Sequence, residues 1–273
     1  MTVDASSAVL RNLGINSALL SKSLARLSSG QRIVSPEDDP GGLAISIKLD
    51  GEIQRNNAAA SIVTNATSLT QAQDGLLQQV EKALDRMSEL GVLAQDSSKS
   101  ASDISSYTSE FTQLQSFISD VGTKNFSSTT MFGSTGLSVL VDPQGTTITL
   151  NALDINNSAV TIGLANIFNT ISTGVGNATS AAQALSNVQT AISTLASMRA
   201  VTGANIERLN FSSDTLSSLT TNLTAASGAI TNVDMATEAS NFAKYQLLVQ
   251  AGTTMLAQAN SLRSSTLQIL QSI

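Results

Sequence analysis

The residues best placed to do chemistry lie in one stretch, "RIVSPEDDPGGLAIS", Arg32 to Ser46. Asp38 and Asp39 adjoin there, with Glu37 before them and Arg32 nearby. Paired carboxylates work as general acid and base when they face one another. Neighbours in sequence on a turn point apart, so solvated acids in a connector are the better reading. A Lys and a Tyr adjoin in "NFAKYQ", Asn241 to Gln246, without a companion constellation. The chain has no His and no Cys. That removes the commonest general base and metal ligand, and with them thiolate metal sites, disulfides and Cys nucleophiles. No catalytic site, cofactor or metal is expected.

The rest of the composition narrows the partners. Charged residues are 12% and aromatics 3% of the 273 residues, the charged share being about half the usual one. The net charge of −6 and the pI near 4.6, with no basic patch carrying interleaved aromatics, argue against nucleic acid. No apolar run reaches the ~18 residues of a membrane span. The start, "MTVDASSAVLRNLG", has neither a basic n-region nor an apolar h-region, so no cleaved secretory signal is expected.

Apolar spacing sets the elements. Leu10, Leu13, Leu20, Leu24 and Leu27 alternate three and four apart, with Ser17 filling the gap, which is a heptad seam. After the connector, Ile62, Ala66, Leu69, Gln73, Leu76, Val80, Ala83, Met87, Leu90 and Ala94 continue that alternation. A helix from about Leu43 to Gln95 would be roughly 80 Å long at ~1.5 Å per residue. Ser102 or Asp103 is the expected cap of the next helix, whose seam runs Ile104, Tyr107, Phe111, Leu114, Ile118, Val121. "LSVLVDPQGTTITL" reads as a β-hairpin around Asp142-Pro143-Gln144-Gly145, a type I turn signature. A third short strand is expected at "AVTIGL".

Helix returns near Ala181. Val188, Leu195, Leu209, Leu216, Leu223 and Ile230 share one seven-residue column, with Thr202 the exception and Leu185, Ile192 and Ile206 beside it. Asp234 is the expected cap of the last helix, with Glu238 in its first turn. That helix carries Leu248, Met255, Leu262 and Ile269 seven apart, and Phe242, Val249, Leu256 and Leu270 alongside. Two adjacent stripes make an apolar face too wide for one partner. Pairing the terminal helices hides part of it, and the remainder asks for other chains. Heptad seams alone mean only a packed bundle; the wide stripe and the long second helix point beyond that.

In the connector, Ser35-Pro36-Glu37-Asp38 fits a capped turn, and Asp39-Pro40 repeats cap-then-proline at the start of the long helix. "SLARLSSGQRIVSPEDDPGGLAIS" resembles the N-terminal signature of bacterial flagellin, the flagellar filament subunit. "NVDMATEASNFAKYQLLVQAGTTMLAQANSLRSSTLQIL" resembles the matching C-terminal end. The resemblance covers about residues 5–130 and 180–273, with two independent motifs in the right order.

It implies a mainly α fold, a long antiparallel helical rod or bundle with terminal coiled-coil helices and a small β-hairpin insert. Residues 1–31 and 234–273 would be the coiled-coil helices of the filament core, packing through Leu13, Leu20, Leu24, Leu27, Leu248, Met255, Leu262 and Ile269. Residues 32–42 would be a spoke, where Glu37, Asp38 and Asp39 meet bases such as Arg32 on neighbours. Residues 43–233 would be a rod domain with helices at about 43–97, 103–122 and 181–230 and a hairpin at about 137–151. The large central insert of many flagellins is missing, which implies a thin, smooth filament. The family's usual Ala-Ala before Gly-Leu is Pro40-Gly41-Gly42 here.

Partners implied by the resemblance are other copies of the chain, an export chaperone, the filament cap and hook-filament junction proteins. The site implied is the extracellular flagellum, reached unfolded through a narrow export channel, which suits a chain poor in bulky aromatics and lacking disulfides. Arg86, Glu89 and Leu90 match the stretch that the vertebrate innate flagellin receptor contacts in some members. The acid that those members carry on the following helix is read as replaced near Ser116-Phe117, so filament contacts are the preferred role. Alternatives are a hook-filament junction protein, similar at both ends, and a membrane-active amphipathic effector. Lys244 and Arg263 stand nearly alone on the last helix, against the cationic face such effectors carry, so no membrane insertion is expected.

Overall fold

The computed structural model describes residues 2–127, 129–133, 135–153 and 174–271. Among these residues, five helices and two small antiparallel ribbons follow in order: α1 Thr2–Ser29, α2 Pro40–Leu93, α3 Ala101–Gly122, β1 Asn125–Phe126, β2 Thr129–Thr130, β3 Leu137–Leu140, β4 Thr147–Leu150, α4 Ala178–Thr231 and α5 Met235–Gln271. The expected mainly α architecture with a hairpin insert is the one observed. The β1–β2 ribbon was not expected, because "NFSSTT" lacks the alternation that announces a strand. The expected strand at "AVTIGL" lies outside the described residues.

The chain forms two compact units, one from Met1–Ile53 with Thr221–Ile273 and one from Gln54–Thr220. The boundary between them falls inside α2 and α4. Local signals mark chain direction changes; they do not mark where packing partners change along a continuous helix.

In the unit Gln54–Thr220, α2 buries one continuous stripe. Asn56, Ala59, Val63, Ala66, Thr70, Leu77, Val80, Leu84, Met87, Gly91 and Ala94 are buried, with half-buried Gln73 completing a strict 3-4 alternation. Of the expected column, Ala66, Leu69, Val80, Ala83, Met87, Leu90 and Ala94 are buried and Leu76 packs half-buried against the core, while Ile62 is the one exposed member, with Val63 taking the interior beside it. Near Val63 the partners are α4 and the hairpin, since Ala59, Val63 and Ala66 pack with Val139, Leu150, Leu209 and Leu216. Further along, α3 packs as well, and both Ala83 and Leu84 are covered. A heptad stripe read from one helix fixes its period but leaves its phase to the neighbours.

On α4 the expected column is buried through Val188, Leu195, Thr202, Leu209 and Leu216, and half-buried at Leu223 and Ile230. Thr202 is tolerated because its hydroxyl donates to the Met198 carbonyl at 2.9 Å. Asn56 ties α2 to α4, donating to the Leu216 carbonyl at 3.0 Å and to Thr220 Oγ1 at 2.8 Å. Arg199 of α4 bridges Asp74 (3.0 Å) and Glu81 (2.6 Å) of α2.

The caps explain most helix ends. α3 starts two residues earlier than its expected start at 103, because Ser100 is the cap: its hydroxyl accepts from Asp103 N while Asp103 accepts from Ser100 N. Asp103 is thus the third helical residue of a capping box. Asn177 caps α4 by accepting from Ser180 N at 2.8 Å. Asp234 caps α5, accepting from Ala236 and Thr237 N–H groups. The hairpin pairs Val139 with Ile148 and Leu137 with Leu150, and Asp142 Oδ1 accepts from Gln144 N in its turn.

Candidate functional site

The unit formed by the chain ends is built from α1 and α5, which pack side by side. Each helix turns a defined stripe inward. On α1 it runs through Leu13, Asn16, Leu20, Ser23 and Leu27; on α5 through Glu238, Phe242, Tyr245, Val249, Gly252, Leu256 and Ala259. Gly252 permits the close approach, since a Cβ there would lie 3.1 Å from Leu13 Cδ1. Buried Ser23 donates to the buried Glu238 carboxylate at 2.5 Å.

Other large apolar side chains of both helices stand exposed among the described residues. Leu10, Ile15 and Leu24 are exposed on α1, and Leu247, Leu248, Met255 and Leu262 on α5, with Met255 63% and Leu262 60% exposed. The eight sequence-expected packing residues therefore divide. Leu13, Leu20 and Leu27 are half-buried against α5, and Leu24, Leu248, Met255 and Leu262 face outward. The side chain of Ile269 lies outside the described residues. Leu247 and Ile15 were missed, although each neighbours a marked column. Ile45, Ile47, Val34 and Met235 add further exposed apolar area in the same unit. Exposed large apolar side chains in this number mark an interaction surface.

The connector is held from within. Gly30 ends α1 with φ at +70°, a left-handed turn that favours glycine. Val233 N then donates to the Gly30 carbonyl at 3.1 Å, and Arg32 N to the Thr231 carbonyl at 2.6 Å. The Arg32 guanidinium donates to the Ile230 carbonyl at 2.7 Å.

Asp38 is the centre of this region. Its side chain is 6% exposed and pairs with Lys22 and, at 3.7 Å, with Arg26 of α1. It also accepts from Val34 N at 3.0 Å and Ser35 N at 3.2 Å. Asp39 instead caps α2, accepting from Gly42 N at 2.8 Å, with Arg32 3.8 Å away. The two carboxylates are thus turned to different structural tasks and do not form an acid–base pair. The expectation that all three acids meet bases on neighbours is corrected for Asp38, which is buried among its own chain's cations. Glu37 is exposed. The basic pair Lys22 and Arg26, one helical turn apart, was the readable signal for this latch.

Hydrogen bonds from Lys22 and from the Val34 amide lower the Asp38 pKa to about 2. A depressed acid stabilises the fold above its unfolded pKa, and the contribution is lost as pH falls through the folded value. The latch is therefore fully in place above about pH 4, and it weakens between there and about pH 2. Asp38→Asn is expected to lower the melting temperature at neutral pH and to shrink its fall between pH 4 and 2. An unchanged pH profile would remove this role.

Arg86 is the third cluster. Its guanidinium donates to Glu89 at 2.6 Å and grips Glu110 of α3 at 2.6 and 3.1 Å. These bonds raise the arginine's pKa and lower that of Glu110. The expectation of a replaced acid near Ser116-Phe117 is corrected, since Glu110 is the acid on the following helix that meets Arg86. Leu90 is fully buried in the core of its unit, so it offers no surface to a receptor.

Among the described residues no helix is long and apolar enough to cross a membrane, and no group of acidic residues could hold a metal. Residues 2–136 match the bacterial flagellin N-terminal helical region, and residues 185–270 match the flagellin C-terminal helical region. The chain is 31% identical to a flagellin of Halalkalibacterium halodurans, over 96% of this chain and 95% of that one. It is 31% identical to a flagellin of Bacillus subtilis, with 96% of each covered. A flagellar filament 33 kDa core protein of Treponema phagedenis is 30% identical, again with 96% of each covered. The crystal structure of Bacillus cereus flagellin superposes with a TM-score of 0.50 at 26% identity, covering 60% of this chain and 93% of that one. With both end regions matched and near full-length relatives at this identity, the chain belongs to the bacterial flagellin family, the structural subunits of the flagellar filament.

Proposed function

We propose that copies of this subunit polymerise by covering the outward apolar stripes of α1 and α5 with the same stripes of neighbours. The observation that carries this is Leu24, Leu248, Met255 and Leu262 standing exposed on helices whose other stripe is already paired. Coiled coils accept further helices when two adjacent columns are apolar. Residues 1–31 and 234–273 then form the filament core, 32–42 the spoke, and 43–233 the surrounding layer. Exposed Glu37 is the connector residue left to meet a base of a neighbour, such a pair contributing about 1 kcal/mol or less.

An export chaperone, a filament cap and junction proteins are the further partners proposed, since α1 and α5 of a lone copy need shelter before assembly. Receptor recognition through Arg86 and Glu89 is the weaker reading, because both already bind within the chain. The subunit has a structural role and no catalytic one in this reading.

Seeded growth tests it. Purified subunit added to sonicated filament fragments is expected to extend them into long filaments above a critical concentration. Growth that stops at a short collar would favour the junction-protein alternative. No growth at all would defeat the proposal.

A further inference from the structure

Phe211 on α4 is 68% exposed, the most exposed large apolar side chain among the described residues. Leu209, two positions earlier and some 200° around the helix, is fully buried and packs with Val63 and Val139. Phe211 thus points away from its own hairpin. In the same unit, a groove of about 530 Å³ opens between α2, β1 and β3, walled by Ile62, Leu69, Phe126, Leu137 and Val139. Phe211 does not line it. Three of the walls, Ile62, Phe126 and Leu137, are exposed large hydrophobics.

The borders of knob and groove differ in charge. Glu207 and Asp214, four before and three after Phe211, lie along one side of the ring, with Arg208 and Thr215 along the other. Arg55 sits seven residues before Ile62, on the same side of α2, and Lys124 stands two before Phe126. Glu207, Asp214, Arg55 and Lys124 are all exposed. None of the four has an ion pair among the described residues.

We propose that Phe211 of one copy seats in the Ile62–Phe126–Leu137 groove of the next, with Glu207 and Asp214 meeting Arg55 and Lys124. The occupant is a second copy, chosen by the complementary borders and by the self-assembly already proposed, on which this inference rests. Because knob and groove are different patches, the contact is head-to-tail, the kind that extends into a filament when the rotation between copies does not close a ring. Interfacial charge of this kind mainly sets register and encounter.

The absence of cysteine makes the contact directly testable. Full-length Phe211→Cys and Ile62→Cys subunits, co-assembled in equal amounts and oxidised, are expected to give a covalent dimer that neither variant gives alone. Val92→Cys, also at an exposed site, replaces Ile62→Cys as a control and should give none. Phe211→Ser is expected to raise the critical concentration by on the order of 10- to 100-fold, with an unchanged melting curve. Reversing both acids of the knob to Lys is expected to raise it about tenfold, and reversing Arg55 and Lys124 to Glu in the same chain should restore it.

Normal elongation by Phe211→Ser, missing dimers in filaments that do form, or equal cross-linking at Val92 would each overturn this contact and leave the terminal-helix reading standing. Failure of the unaltered subunit to elongate would overturn both.

Discussion

Removing residues 240–273 is expected to leave a soluble monomer that no longer extends seeds at any attainable concentration. The truncation deletes the inward stripe of α5 from Phe242 to Ala259 together with the outward Leu248, Met255 and Leu262. α1 loses its partner as well. The unit Gln54–Thr220 keeps its core, since every residue of both its apolar clusters lies inside it. Circular dichroism should therefore retain a cooperative transition.

A gentler version separates assembly from folding. Leu248, Met255 and Leu262 changed together to Ser leave the inward stripe intact. Fully burying such side chains contributes roughly 1.5–3 kcal/mol each, so the triple change costs about 4.5–9 kcal/mol of association, over 1,000-fold in critical concentration. Filaments that grow normally from either variant would sink the role given to α5.

The second large effect is on stability. Phe111 of α3 is fully buried, in a cluster with Met87, Leu90, Ile118, Val188 and Leu195. Aromatics are few in this chain, and among the described residues Phe132, 5% exposed, is the other buried one of that cluster. Phe111→Ala is expected to cost about 3–5 kcal/mol, the removed ring plus the cavity it leaves. For a unit of this size that lowers the melting temperature by roughly 6–20 °C. A loss under about 2 kcal/mol would mean that the site collapses around the missing ring. Leu90 lies in the same cluster, which is why it belongs to this account and not to surface recognition.

Much of the fold was legible in the residues themselves. Heptad spacing announced each long helix, the Asp142-Pro143-Gln144-Gly145 turn announced the hairpin, and Asp234 announced the start of α5. These signals are local: a cap, a turn or a period is satisfied by residues within a few positions of one another. The wide apolar face of α5 was legible too, because two adjacent columns can be counted without knowing what covers either.

What the sequence could not supply was phase and partnership. Val63 rather than Ile62 faces inward because α4 and the hairpin approach from that side, and no count along α2 alone distinguishes the two columns. Asp38 turned from a surface acid into a buried latch because α1 brings Lys22 and Arg26 beside it. Glu110 meets Arg86 across 24 residues of sequence for the same reason. By itself, the sequence determined the helices, the hairpin and the excess of apolar surface at the chain ends. Only the tertiary structure decided which stripe is covered and which is left open, since that choice depends on contacts between segments far apart in the chain.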